Sequence, residues 1–198
     1  MTWSSDVAYL RGLDVMSDVV QRVPSDAWER PSPCAGWRAL DVLGHVGTAT
    51  EMGVRILRGG DLSFDPPDPP GEAVVGKPGE WWAKLAEDGR SSAQGVDLDR
   101  EVESPRGTRT IREGLSFPAV DLFVHAWDIA AATGIDYEPP EVDEVVAFAH
   151  SVIDPIPSEM VRGGRVFGPE LAAPAGADQW QALLAWSGRD PNWRAPAG

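Results

Sequence analysis

Four stretches of this chain repeat apolar residues every three or four positions, and each is bracketed by Gly or Pro. That pattern leaves little room for anything but a bundle of long helices. Residues 3–23 set Val7, Leu10, Leu13, Met16, Val20 and Val23 on one helical face, with Ser4 or Ser5 as the cap and Pro24 at the stop. A second helix is expected over about 37–57, closed by Gly59-Gly60. A third is expected over about 80–95, with Trp81, Trp82, Leu85 and Ala86 on one side. The fourth is read over about 117–133, with Ser116 as its cap, Pro118 in its first turn and Gly134 as its terminator. Two shorter helices follow, over about 141–153 after Pro139-Pro140 and over about 178–186 before Gly188. Thr108 to Ile111 reads as a short extended piece, and 158–176 as irregular. Residues 59–80 have no period, and a loop of this length serves as a lid, a binding loop or a disordered segment. Here it is expected to cover the open end of a site.

Composition removes several function classes. Lys and Arg number 17 against 31 Asp and Glu, a formal charge of −14, which is the wrong sign for tracking a nucleic-acid backbone or docking on an anionic bilayer. The lone Cys34 excludes an internal disulfide framework and a four-thiolate zinc site. No run approaches a membrane span in uninterrupted apolar length, and the N-terminus lacks a basic and then apolar leader. A cytoplasmic location is therefore the expectation.

The chemistry-bearing residues are few. Only three histidines are present. His45 shares a helical face with Ala49, Met52 and Ile56, so its imidazole is expected to point into the bundle. Asp121 and His125 stand one turn apart on the fourth helix, with Asp128 and Ile129 continuing that face. A carboxylate there needs a partner. Either Asp121 pairs locally with His125, or the two are ligands of one metal with a third from another helix. Two imidazoles and one carboxylate suit zinc, nickel, iron or manganese, and ligand type alone does not choose among them. His150 reads as half-buried with a local hydrogen bond, and Cys34 as structural. No nucleophile elbow, P-loop or dinucleotide glycine fingerprint occurs, and Gly163-Gly164 reads as a turn.

Three segments carry a resemblance. PSPCAGWRALDVLGHV, DLFVHAWDIAAATG and FGPELAAPAGADQWQALLAWSGRDPNW occur in that order. They resemble the DinB/YfiT-like superfamily, and within it the actinobacterial mycothiol-dependent maleylpyruvate isomerase metal-binding domain family. The resemblance implies an all-α, DinB/YfiT-like four-helix bundle spanning 1–198, with 157–198 as a short C-terminal extension packed on it. It implies one divalent metal, zinc foremost, held by His45, Asp121 and His125, with Asp128 and Trp127 behind the ligands. The family isomerase has Glu where this chain has Asp121, and it carries a larger C-terminal domain than the residues after Pro157 can form.

The activity implied is thiol chemistry on a small electrophile, S-transfer or isomerisation, with a low-molecular-weight thiol such as mycothiol as co-substrate. A non-enzymatic bundle that binds metal or a small ligand, a metal-dependent hydrolase and an iron oxygenase are the alternatives. Small molecules are the expected partners, with no nucleic acid and no membrane, and the chain is expected as a monomer or homodimer.

Overall fold

Helix α4 (Ile111–Thr133) is the axis on which the rest is built. Its apolar residues are spread round the helix, and from Leu115 on most of it is buried. The computed structural model describes residues 2–60, 63, 65–104, 107–162 and 166–196. In it α1 (Ser5–Arg22), α2 (Ala39–Arg58) and α3 (Pro78–Ala93) pack with α4 into a four-helix bundle, so the all-α architecture is as expected. Among the described residues α4 alone has the length and hydropathy of a membrane-crossing helix; 72% of that window is buried inside the bundle.

The core runs through all four helices. Leu13, Met16 and Val19 of α1 meet Val42 and Leu43 of α2, Trp82 of α3, and Leu122, Phe123 and Ile129 of α4. Each such side chain contributes on the order of 1.5–3 kcal/mol relative to exposure. Trp82 is fully buried, and its indole N–H donates to Ser17 Oγ at 3.0 Å. Helix α1 lies close on α4 because Gly12 has no side chain there: a Cβ would stand 2.8 Å from Leu122 Cβ.

The same core takes in the C-terminal segment. Helices α5 (Val142–Ile153), α6 (Ser158–Val161) and α7 (Gln179–Trp186) contribute Phe148, Ile153, Val161, Leu183 and Leu184 to it. Gly59, Gly134 and Gly188 adopt positive φ at the ends of α2, α4 and α7, where a left-handed residue closes a helix.

Several details differ from expectation. Helix α4 begins at Ile111, because Thr110 and Glu113 form a reciprocal cap: Glu113 N–H donates to Thr110 Oγ1 at 3.2 Å and Thr110 N–H to Glu113 Oε2 at 2.9 Å. Ser116 is therefore inside the helix, its hydroxyl donating back to Arg112 O at 2.6 Å, and Pro118 is interior too, at the cost of one backbone hydrogen bond. The extended piece narrows to β2 (Arg109–Thr110), paired antiparallel with β1 (Glu101–Val102). Val7 is exposed, since the buried face of α1 is set by Ala8, Gly12, Val15 and Val19 instead. His150 is exposed rather than half-buried, with its local hydrogen bond to Asp154 at 3.1 Å. A short helix, α6, interrupts the stretch expected to be irregular, while Gly163-Gly164 lie outside the described residues.

The 59–80 segment contains a 3-10 turn, Pro70–Ala73, pressed onto α2. Gly71 N–H donates to Asp41 Oδ1 at 3.1 Å, and Asp41 is itself held by the Arg38 guanidinium at 3.0 Å. The turn thus lies against the Asp41 and Gly44 side of α2. Residues 61, 62 and 64 of that segment lie outside the described residues.

Candidate metal centre

Helices α2 and α4 bring His45, Asp121 and His125 together. One donor atom from each lies within 4.8 Å of the other two. The imidazoles of His45 and His125 meet edge to face, with ring centroids 5.1 Å apart. The i, i+4 spacing of Asp121 and His125 does what it predicts and sets both side chains on one side of α4. His45 sits at the border of α2's buried face, for Ala49, one turn on, is exposed. The shorter carboxylate of Asp121 still reaches the pair.

Burial pushes the His45 imidazole down to about 4, and the neighbouring His125 and Arg189 act in the same direction. At neutral pH His45 is thus an uncharged imidazole, which is the form that ligates a metal. The indole of Trp37 covers it, with ring centroids 5.2 Å apart. Asp121 also lines a cavity of about 30 Å³ with Tyr9, Thr50 and Pro118. That is room for a water-sized group.

Behind His125 stands a second polar set. His125 Nδ1 is 2.8 Å from Asp128 Oδ2. Asp128 is fully buried and takes the Arg189 guanidinium as a fork, Nε at 2.9 Å from Oδ1 and Nη2 at 2.8 Å from Oδ2. Cys34 Sγ–H donates to Asp128 Oδ2 at 3.2 Å. Burial alone would raise the Asp128 carboxyl, but the Arg189 charge and the bonds from His125 and Arg189 outweigh it and hold it well below the usual carboxylate range. A charged Asp128 accepts a hydrogen bond from each neighbour, so His125 presents Nδ1–H to it and leaves Nε2 unprotonated. Burial and the adjacent Asp128 push the Cys34 thiol far up, which makes it a neutral donor.

Sequence reasoning singled out His45, Asp121, His125 and Asp128, and these four lie together. Trp127 is buried in the apolar core of the bundle. Arg189 went unnoticed. The one local signal for it was the SGRDPNW motif. Trp37 and Cys34 also gain a place only from the fold. One turn, Pro33 to Trp37, delivers the indole to His45 and the thiol to Asp128.

The residues fit a divalent cation. Two imidazoles and a carboxylate, drawn from facing helices with one imidazole backed by a buried carboxylate, make a donor set for a first-row divalent metal. Imidazole and carboxylate donors projecting inward from facing helices are the arrangement by which helical bundles hold metals. Residues 10–130 match the mycothiol maleylpyruvate isomerase N-terminal domain family, and the chain belongs to that family.

Uncharacterized proteins from two strains of Mycobacterium tuberculosis are each 26% identical to it over 186 residues, covering 92% of this chain and 96% of theirs. A crystal structure of a histidine-to-alanine mutant of the mycothiol-dependent maleylpyruvate isomerase superposes with a TM-score of 0.57 at 14% identity. The match covers 73% of this chain and 65% of the isomerase, so the shared fold stops short of that protein's full length.

Proposed function

We propose that His45, Asp121 and His125 hold one divalent metal, zinc foremost, and that the protein uses a low-molecular-weight thiol of the mycothiol type to modify a small electrophile by S-transfer or isomerisation. The observation that carries this reading is the convergence of the three donors within 4.8 Å, from two helices of a chain in a mycothiol-linked family. When bound, such an ion lowers the pKa of a coordinated thiol and supplies a Lewis acid.

The chain's own residues prepare the site. His45 is uncharged at neutral pH and is screened by Trp37. Asp128 fixes the tautomer of His125. Asp121 adds a carboxylate beside a cavity that admits a water-sized group. Cys34 is a poor nucleophile here, since its thiol is committed to Asp128 and its ionisation is suppressed. The sulfur that reacts must therefore come from outside the chain. A cytoplasmic setting, where small thiols stay reduced, suits this role.

The test is elemental mass spectrometry on tag-free protein beside H45A and H125A, followed by turnover assays with thiols and a panel of electrophiles. About one equivalent of metal in the wild type, lost in both variants, with turnover that needs added thiol, is the expected result. Metal uptake unaffected by either substitution defeats the site assignment. Loaded protein that is inert with every thiol and electrophile defeats the reaction class and leaves a binding bundle.

A further inference from the structure

We infer that Arg189 is a positioning residue for the metal centre: its guanidinium fork fixes the Asp128 carboxylate, which in turn holds His125 in the tautomer that leaves Nε2 unprotonated. The chain of contacts is continuous. Arg189 engages both oxygens of Asp128, at 2.9 Å for Nε to Oδ1 and 2.8 Å for Nη2 to Oδ2, and Asp128 Oδ2 is 2.8 Å from His125 Nδ1. The Arg189 side chain is 10% exposed and that of Asp128 is 0% exposed, so water does not substitute for either partner. A planar fork sets the plane of a carboxylate as well as its place, which a point charge does not.

Arg189 lies just after α7, in the C-terminal segment, whereas His45, Asp121 and His125 lie on α2 and α4. Its backbone N–H is tied to Leu184 O at 2.9 Å, so the helix end that follows the core packing of Leu183 and Leu184 delivers the guanidinium. The C-terminal segment thereby sets the state of a candidate ligand on another helix. Cys34 completes the grip on Asp128 from the opposite end of the chain.

The consequence for zinc affinity rests on the metal-site reading above; the consequence for the histidine tautomer does not. The experiment therefore reads both. Long-range proton–nitrogen correlation on metal-free, nitrogen-15-labelled protein reports the His125 tautomer, and competition with a chromophoric chelator reports zinc affinity. R189M removes fork and charge, and R189K keeps the charge without the fork. R162M is the control: Arg162 donates to Gly168 O at 2.8 Å and Trp186 O at 2.6 Å in the same segment and makes no bond to Asp128.

We expect wild type and R162M to show one Nδ1–H tautomer at His125. R189M should show a mixture and bind zinc about 10–100-fold more weakly, with R189K between. Circular dichroism checks that each variant is folded, and R189K carries the test if R189M is not. A wild-type tautomer in both Arg189 variants overturns the inference. So does R162M behaving like R189M, which would mean that docking of the segment matters and the fork does not. Wild type that takes up no zinc defeats the metal reading instead, and the tautomer result still decides the role of Arg189.

Discussion

Gly44 and Gly53 lie on the same helix, and the structure gives alanine opposite effects at the two. A Cβ on Gly44 would stand 2.1 Å from Pro70 O, 2.5 Å from Pro70 C and 2.9 Å from Gly71 N. All three are backbone atoms of the turn pressed on α2, so no rotamer change relieves the clash. The turn has to move off, which costs about 1–3 kcal/mol as overpacking. It also loses the Gly71 N–H to Asp41 bond, a hydrogen bond to a charged group worth about 1.5–3 kcal/mol. Helix propensity returns about 1 kcal/mol. Gly44→Ala is thus expected to lower stability by roughly 1.5–5 kcal/mol. At Gly53 the nearest atom to such a Cβ is Tyr9 Oη at 3.9 Å, ordinary contact, so the propensity gain stands alone. Gly53→Ala should raise stability by up to about 1 kcal/mol. Urea unfolding followed by tryptophan fluorescence, with each variant fitted beside wild type, measures both. If Gly44→Ala matches or exceeds the wild type, the turn does not pack on α2 as described.

Acid should destabilise the fold through His45. Its folded value of about 4 lies below the unfolded 6.5, so the unfolded chain binds more protons in between, and stability falls as pH drops through that window and is unaffected above it. Between pH 7.5 and 4.5 the loss is roughly 2–3 kcal/mol, read by urea titration at the two pH values, and H45N should abolish most of it. Cys34 should react with a disulfide reagent on the order of 100-fold more slowly in the native protein than in urea; native labelling at the unfolded rate would refute its engagement with Asp128. Thr110→Ala should cost about 1 kcal/mol through loss of the α4 cap, lowering Tm by about 2–4 °C, whereas Ser116→Ala should stay within about 0.5 kcal/mol of wild type, a contrast that differential scanning calorimetry resolves.

Helices α1 to α3 were legible because amphipathic spacing is a local property, α4 because Pro118 and Gly134 bracket its apolar run, and the juxtaposition of Asp121 and His125 because i, i+4 spacing is local too. The start of α4 was misread for an equally local reason. Pro118 favours a first-turn position in sequence, yet Thr110 and Glu113 stand at the spacing of a reciprocal cap further upstream, and Ile111 and Leu115 bury one side of the turns that the cap adds. The polar set behind His125 could not be read in the same way. Cys34 and Arg189 reach Asp128 across 94 and 61 positions, and nothing periodic links them. Arg189 in particular sits past a helix-stopping glycine, outside any periodic segment. Trp127, placed behind the ligands by the family resemblance, is buried in the core, two residues and about 200° around the helix from His125.

Two groups of donor residues share His125, and their surroundings separate their roles. Cys34, His125 and Asp128 meet the same 4.8 Å separation as His45, Asp121 and His125. In the Cys34 group both Asp128 oxygens already accept from Arg189, one of them also from His125 and Cys34, and a cation there would have to displace a buried guanidinium. The thiol, moreover, is held in its neutral form. That group is a closed hydrogen-bonded network in which Asp128 and Arg189 cancel each other's charge. The His45 group is its complement: an uncharged imidazole, a second imidazole with its other nitrogen engaged, and one carboxylate beside a cavity. With the Asp128–Arg189 pair neutral, the formal charge facing a cation is that of Asp121 alone. A divalent ion in that set would leave a net formal charge of +1, which one further monoanionic ligand, thiolate or carboxylate, would neutralise.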